Sequence, residues 1–198
     1  MPTHKETKTW ARDGFVISMD PSLVPISSLN KAFDSEDMYW AKALPEEALR
    51  AALENSWCWG LYSPTPSPPA TTDAESSDPA ATLHEIAESV HKPSQVSDQS
   101  TEEPSLIGFA RAITDRITFF YLTDVYVLPE WQGQGLGKWL VSCVQEVVED
   151  MPHLRRSMCI TGESKESRAA RFYKQLMKMD AITEGITVLS AKGRGNTF

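Results

Sequence analysis

The segment from Val125 to Lys138 constrains the fold of this chain more than any other part of the sequence. An apolar, β-branched run ends at Val127, Pro129-Glu130-Trp131 follows, and the next stretch reads Gln132-Gly133-Gln134-Gly135-Leu136-Gly137-Lys138. Glycines let the backbone turn sharply and approach a ligand closely, and the free amides at a helix N-terminus attract negative charge. The segment therefore predicts a strand, a phosphate-binding loop and a helix in succession.

The spacing of the glycines separates this loop from two common nucleotide motifs. A Rossmann fingerprint needs Gly-x-Gly-x-x-Gly, whereas the glycines here stand at 133, 135 and 137. A P-loop needs four residues before its Gly-Lys pair and a Ser or Thr after it, but only three residues separate Gly133 from Gly137 and Trp139 follows Lys138. An ordinary glycine-rich turn and a different phosphorylated ligand remain as alternatives.

Hydrophobic periodicity on both sides of the loop predicts a mixed α/β sheet, in the order βααβ(insert)ββαβαβ. The predicted strands cover 14–18, 57–62, 106–113, 117–127, 157–161 and 182–189. The predicted helices cover 26–33, 45–53, 135–151 and 167–177.

The charge of the chain is concentrated in one segment. Residues 63–104 contain eight acids and one lysine, together with seven of the thirteen prolines, while the whole chain carries −8. Such a composition buries too little apolar surface to offset the entropy of ordering. We therefore interpret 1–198 as a single domain with a flexible acidic insertion at 63–104, in which 82–91 has the pattern of a short helix.

Several classes of protein are disfavoured by composition. A net negative charge argues against nucleic-acid binding, and no apolar run approaches the length of a membrane span. The three cysteines, Cys58, Cys143 and Cys159, lack the spacing of a zinc site or a disulfide framework. We therefore expect no metal and a cytoplasmic or nuclear protein without a secretory signal, and the oligomeric state stays open.

The loop and its surroundings resemble the GNAT superfamily of N-acetyltransferases. The signature Gln/Arg-x-x-Gly-x-Gly/Ala is matched by Gln132, Gly135 and Gly137, and it follows Val127-Leu128-Pro129-Glu130-Trp131. Ile107-Gly108-Phe109-Ala110-Arg111 and Asp124-Val125-Tyr126-Val127 are also similar to members of this superfamily. The resemblance covers roughly Gly14 to Tyr173 outside the insertion, and it implies a mostly antiparallel sheet flanked by helices.

What the resemblance implies for the donor is acetyl-CoA held by backbone groups. Its pyrophosphate would lie on the amides of Gln132, Gly133, Gln134, Gly135, Leu136, Gly137 and Lys138. Its pantetheine arm would run beside Val125, Tyr126 and Val127, because a strand that parts from its neighbour leaves N–H and C=O groups for an amide-like ligand. A backbone N–H of Val127 or a neighbour would face the developing oxyanion.

Two side chains are candidates for proton transfer. The resemblance places the acid for the leaving thiolate at Tyr173, although the spacing of its helix equally predicts a core residue. Asp124 is the only ionised residue in 117–127, which predicts a base or a carboxylate paired with Arg111. Some relatives carry a catalytic Glu where Thr123 stands here. Glu163, Glu166 or a water chain are the other candidates.

The acceptor is the least constrained part of the prediction. Tyr39 and Trp40 fall between the first two helices, where the family's acceptor pocket usually lies, but core packing also explains them. A small-molecule or peptide amine would fit the chemistry. A catalytically weak acyl-CoA sensor on the same fold is the alternative function.

Overall fold

The computed structural model describes residues 7–38, 40–63, 105–161, 167–182, 184 and 191. Its strands are β1 (Thr9–Arg12), β2 (Phe15–Ser18), β3 (Trp57–Ser63), β4 (Ser105–Thr114), β5 (Phe119–Val127) and β6 (Arg156–Cys159). Its helices are α1 (Ile26–Phe33), α2 (Glu46–Glu54), α3 (Leu136–Glu149) and α4 (Arg168–Met177). Short 3-10 turns cover Pro21–Leu23, Glu36–Met38 and Pro129–Trp131.

The strands form one sheet in the order β1-β2-β3-β4-β5-β6. Neighbours from β1 to β5 are antiparallel, and β5 and β6 are parallel because α3 crosses over between them. This arrangement confirms the predicted mixed, mostly antiparallel sheet flanked by helices. The sheet brings the C-terminal end of β5 and the N-terminus of α3 to the same place.

Strand β1 is absent from the predicted element order. Asp13 and Gly14 connect it to β2 with φ values of 50° and 82°. Asp-Gly is the two-residue turn whose left-handed backbone matches the twist of a hairpin. The dipeptide was therefore the available sequence signal for this hairpin.

The helices cover the two faces of the sheet differently. Helix α3 packs over the face formed by alternate residues such as Trp59, Ala110 and Leu122, in one core cluster with Met177 of α4. On the other face, α1 and α2 bury a second core cluster, hereafter the α1/α2 cluster, built on Cys58, Tyr62, Leu106 and Phe109. The two faces of the sheet are thus packed by different helices and different core residues.

Side chains of the N-terminal segment fasten the sheet edge to α3. Trp10 Nε1 donates to Glu146 at 2.8 Å, and the Arg12 guanidinium lies 4.6 Å from the Trp139 ring centroid. Lys8 pairs with Glu146 and Asp150. These contacts recur every second residue of the segment, so one of its faces follows α3 along its length.

The two ends of the predicted insertion meet in the sheet. Ser63 ends β3 and is registered with Ser105, which begins β4. Residues 64–104 lie outside the described residues, and so do the predicted helix at 82–91 and most of the predicted strand at 182–189. Within the described ranges, no helix is long and apolar enough to cross a membrane.

Candidate functional site

Strands β5 and β6 part in the middle of β5. Their registered pairs end at Leu122 with Cys159, whereas β5 continues to Val127. On its other edge β5 stays paired with β4 up to Gly108 with Val127. The β6 side of 123–127 is therefore a strand edge without a described partner strand, and it contains the predicted pantetheine residues Val125, Tyr126 and Val127.

The close approach of β4 to β5 at this edge requires a glycine. A Cβ on Gly108 would lie 3.0 Å from the Tyr126 carbonyl oxygen, 3.1 Å from Leu61 and 3.2 Å from Val127. Contacts of 3.0–3.2 Å are tighter than nine in ten real Cβ contacts, so a side chain at 108 would push β5 away by a few tenths of an ångström and the glycine keeps β5 close to β4. One edge of β5 is thus held close to β4, and the other edge, at 123–127, faces the gap.

The loop 132–138, hereafter the glycine loop, turns directly from this edge into α3. Gly133 and Gly135 have φ values of 81° and 77°, and a Cβ at either position would meet nothing within 4 Å. Gly135 is the N-cap of α3 and no side chain caps it. The amides of Leu136, Gly137 and Lys138 thus have no acceptor in their own helix.

Gln132 contributes to the glycine loop through its side chain. Its Nε2 donates to the Val127 carbonyl oxygen at 2.8 Å, which ties the loop to the last residue of β5. Its backbone N–H donates to Pro129 O at 3.1 Å. The amides open to a ligand therefore begin after Gln132, and Gln132 itself fixes the position of the loop.

Asp124 lies at a bulge in β5. Phe109 is registered with Tyr126 and Arg111 with Thr123, so Asp124 and Val125 together oppose one residue of β4. Asp124 has a φ of 52°, a left-handed conformation that Asp tolerates better than most residues. The bulge breaks the regular pleat where the free edge begins.

The Asp124 carboxylate is buried and paired. Arg111 Nε donates to Oδ2 at 2.6 Å, and the Thr123 hydroxyl lies 3.2 Å from Oδ1. The same guanidinium donates to Ser56 Oγ at 3.1 Å, and that hydroxyl donates to Ala52 O at 2.7 Å. A continuous chain of polar contacts therefore links α2 to the bulge.

Tyr173 lies on the face of the sheet opposite to that of Asp124. It packs against the α3 side of the core, and its ring lies edge-on to Phe172 with centroids 5.3 Å apart. Burial, with a smaller contribution from the Cys159 thiol, raises the pKa of the Tyr173 phenol well above its ordinary value. Because Cys159 forms the last β5–β6 pair, this neutral phenol lies beside the point where the strands part.

Helix α4 ends at Met177 without a glycine after it. Lys178 takes the left-handed C-cap conformation, with a φ of 56°, that a glycine usually supplies. Met179 follows and packs against the core. Lys178 and Met179 therefore supply the helix stop and the apolar residue that follows it.

Aromatic side chains gather on the face that α1 and α2 cover. Trp40 and Tyr126 both pack against the α1/α2 cluster, and the Phe109 and Tyr126 rings lie 6.3 Å apart. Burial raises the pKa of Tyr126, and the electrostatic effects of Tyr62 and Asp124 raise it further. The predicted acceptor residue Trp40 thus shares a cluster with the free edge of β5, while Tyr39 lies outside the described residues.

The structure gathers most of the predicted site residues around one gap. The glycine loop and the free edge of β5 adjoin each other, with Tyr173 on one face and Asp124 on the other. Glu163 and Glu166 lie outside the described residues. Sequence reasoning missed Ser56, which belongs to no local pattern, and it included Gln132 in the signature without anticipating that its side chain donates to Val127 O. Among the described residues, no group of three or more His, Cys, Asp or Glu forms a metal site.

The sequence of this chain is similar to those of several known proteins. The model of the acetyltransferase (GNAT) family matches residues 46–177. A provisionally named acetyltransferase of Gibberella zeae is 32% identical over 189 residues, which cover 95% of this chain and 94% of that protein. GCN5-related N-acetyltransferase 2, chloroplastic, of Arabidopsis thaliana is 39% identical over 113 residues, which cover 54% of this chain and 40% of that protein.

Solved structures agree on the fold. A protein of Xanthomonas campestris pv. campestris, provisionally assigned to the same family, superposes with a TM-score of 0.52 at 24% identity and covers 89% of this chain and 98% of its own. The family model spans more than half of the chain, and the relative from Gibberella zeae matches it almost end to end. On these grounds the chain belongs to the GNAT family of acetyltransferases.

Proposed function

We propose that this chain transfers an acetyl group from acetyl-CoA to a primary amine by direct attack within a ternary complex. The observation that carries the proposal is the gap between β5 and β6. It adjoins the uncapped N-terminus of α3, and it has Tyr173 on one face and Asp124 on the other. A donor bound from the α3 side and an acceptor bound from the α1/α2 side would meet there.

The donor is held by main-chain groups. The amides that follow Gln132 in the glycine loop bind the pyrophosphate, where the dipole of α3 adds to their attraction for negative charge. Lys138 is exposed beside them and adds a cation. The pantetheine arm pairs with the free edge of β5 at 125–127 as an added strand would, which directs the thioester toward the bulge.

The transfer needs one bond to form and one to break. The neutral amine nitrogen attacks the thioester carbon, and a backbone N–H at Val127 or a neighbour stabilises the oxyanion. As the C–S bond breaks, the Tyr173 phenol donates its proton to the leaving sulfur. The raised pKa of Tyr173 suits this role, because the phenol stays protonated across the physiological range.

The proton released by the attacking amine leaves on the face of the sheet opposite to that of Tyr173. Asp124 is the buried carboxylate beside the gap, and it accepts the proton directly or through water. Its pairing with Arg111 occupies one oxygen, while the oxygen facing Thr123 retains lone pairs for a further donor. Trp40 packs on this face, and we assign Trp40 and its chain neighbour Tyr39 to the binding of the acceptor body.

Acetyl-CoA binding is tested by thermal unfolding of a matched pair of variants. At acetyl-CoA one hundred times above Kd we expect Tm to rise by roughly 5–10 °C in a domain of this size. Gly137→Glu places a carboxylate at the phosphate site, where only ordinary contact with Val127 at 3.8 Å is met in the fold. Without ligand, Gly137→Glu should have nearly the Tm of the wild type, but acetyl-CoA should no longer raise that Tm. Gly137→Ala should keep the wild-type Tm and also its rise with acetyl-CoA.

Turnover separates an enzyme from an acyl-CoA sensor. Free-thiol release is measured with acetyl-CoA over a panel of primary amines, with hydrolysis in the absence of amine as the blank. Amine-dependent release supports the proposal. A normal Tm shift without amine-dependent release would replace it with the sensor, and an unchanged shift in Gly137→Glu would contradict the assignment of the glycine loop.

A further inference from the structure

One part of the α1/α2 side of the sheet is left open by the helices. Their cover ends near the row formed by Cys58, Arg111 and Thr123. Beyond that row, Ile113 is registered with Tyr121, and Tyr121 with Met158 of β6, so the three side chains share a face. Phe119, two residues before Tyr121, lies on the same face. We refer to Ile113, Phe119, Tyr121 and Met158 as the open face.

The open face is apolar and partly exposed to solvent, and its residues Tyr121 and Met158 are half-buried. Ile113 is 47% exposed and Phe119 is 39% exposed. Ile117, which is 56% exposed, lies in the turn at the same end of the sheet. Contiguous exposed apolar side chains of this kind are a usual mark of a binding surface.

Three arginines surround the far end of the open face. Arg156 is registered with Phe119, and the backbone amides of Arg155 and Arg156 donate to Thr118 O at 2.8 and 3.3 Å. Arg116 lies in the adjoining turn. All three are exposed, and among the described residues none of them forms a salt bridge. We refer to them as the cationic end.

The one carboxylate in this turn is committed to the backbone. Asp115 accepts from the amides of Ile117, Thr118 and Phe119 and from the Thr118 hydroxyl. These hydrogen bonds hold the pKa of Asp115 far below its ordinary value, and they fix the turn on which Arg116 is displayed. The net charge at this end of the sheet is therefore positive.

The open face is continuous with the gap between β5 and β6. The pair Tyr121 and Met158 immediately precedes Leu122 and Cys159, the last pair before the strands part. From Thr123 to Phe119 the strand advances about 13 Å, at roughly 3.3 Å per residue. That length matches about four residues of extended peptide between the reacting amine and the cationic end.

From this geometry we propose that the acceptor is a peptide or protein segment bound in extended form on the open face. Its amine enters the gap beside Asp124, apolar residues follow on Ile113, Tyr121 and Met158, and acidic residues pair with the cationic end. The inference rests on the proposed function, since it names the substrate class for the same site. A small amine in the gap would contact neither the open face nor the three arginines.

Peptide binding tests the inference without requiring turnover. Three fluorescein-labelled hexapeptides with a free N-terminal alanine are titrated by anisotropy in the presence of CoA. One continues with three apolar residues and two glutamates, one replaces the glutamates by lysines, and one replaces the apolar residues by serines. We expect the first to bind at least about tenfold more tightly than either of the others, which is the effect of one charge-assisted contact or one apolar anchor.

Variants assign that preference to the open face. Arg156→Glu should make the lysine peptide bind more tightly than the glutamate peptide. Phe119→Ser should weaken the binding of both peptides. Leu23→Ser is the matched control, because Leu23 is 53% exposed on a different part of the surface. Arg155→Glu provides a second charge reversal if Arg156→Glu fails to fold.

Kinetics then separates this inference from the proposed function. In Arg156→Glu, kcat/KM should fall at least about tenfold for the glutamate peptide and stay unchanged for n-butylamine. Equal affinity for all three peptides, with no response to Arg156→Glu, would overturn the peptide assignment while acetylation of n-butylamine still upheld the acetyltransferase. Absence of transfer to any amine would overturn the proposed function, and the anisotropy order would still decide whether the open face binds peptides.

Discussion

The two sides of the gap between β5 and β6 differ in their chemical groups, which are main-chain groups on one side and side chains on the other. On the side that we propose for the donor, the available groups are main-chain amides and a strand edge, placed by Gly133, Gly135 and the N-terminus of α3. On the side that we propose for the acceptor, the polar groups are buried or partly buried side chains from β4, β5 and the turn after α2, namely Arg111, Asp124 and Ser56. A backbone site depends on conformation, whereas a side-chain site depends on the identity and pairing of each residue. Substitutions should therefore act differently on the two sides.

The largest effect is expected at the residue proposed to serve the leaving thiolate. Tyr173→Phe keeps the ring in the core and removes the hydroxyl, so kcat should fall by about 100-fold or more while Tm and acetyl-CoA affinity stay nearly constant. In the wild type, activity should not decline through deprotonation of Tyr173 as the pH rises to 10.0, the ordinary pKa of a tyrosine, because burial raises the pKa of that phenol. Single-turnover rates from pH 6 to 10 check both points, and an unchanged kcat would leave Tyr173 as a core residue.

The next effect concerns the ion pair on the acceptor side. Arg111→Met leaves the Asp124 carboxylate buried without its partner, which should lower the free energy of unfolding by about 2–3 kcal/mol. This is below the usual cost of breaking a fully buried pair because the Arg111 side chain is 20% exposed. Urea unfolding of Arg111→Met, Asp124→Asn and the double variant forms a cycle, and the double variant should recover part of the loss. Additive losses would show that the pair is not coupled.

A smaller effect is expected in the glycine loop, where backbone conformation is the requirement. Gly135→Ala places a side chain at a φ of 77°, which costs roughly 1–2 kcal/mol in the bound conformation. Acetyl-CoA affinity should therefore fall about 5- to 30-fold by calorimetry. Gln134→Ala is the matched control, because Gln134 is exposed and its amide is kept. A larger loss in Gln134→Ala than in Gly135→Ala would show that the donor side uses side chains after all.

The smallest effect is expected at the contacts between β1 and α3. Trp10→Phe removes the indole N–H that donates to Glu146 at 2.8 Å but keeps an aromatic ring over the helix. We expect a loss of about 0.5–1.5 kcal/mol in the free energy of unfolding, the net value of one such hydrogen bond. Acetyl-CoA affinity should be unaffected. A parallel loss of affinity would show that the N-terminal hairpin helps to position the glycine loop.

Main-chain conformation in the glycine loop could be predicted from the sequence more completely than the side-chain contacts around Asp124. The strand, loop and helix from Val125 onward were predicted with nearly their observed bounds, since periodicity and glycine spacing are local signals. The pairing of Asp124 with Arg111 was one of two stated possibilities, and the structure contains it. Ser56 was not anticipated, because nothing near it in the chain indicates a contact 55 residues away. The hairpin at Asp13 and Gly14 was missed although its turn signal was present.

The sequence by itself determined that the chain has a GNAT fold and where the glycine loop that we propose as the pyrophosphate site turns from a strand into a helix. Glycine spacing after an apolar strand specifies backbone conformation within a few residues, and that information survives without knowledge of the rest of the molecule. Only the tertiary structure decided that Tyr173 and Asp124 lie on opposite faces of one gap, and that an apolar face leads from it to three arginines. Those relations depend on strand register, which sets the face each side chain occupies and is fixed by pairing between distant segments.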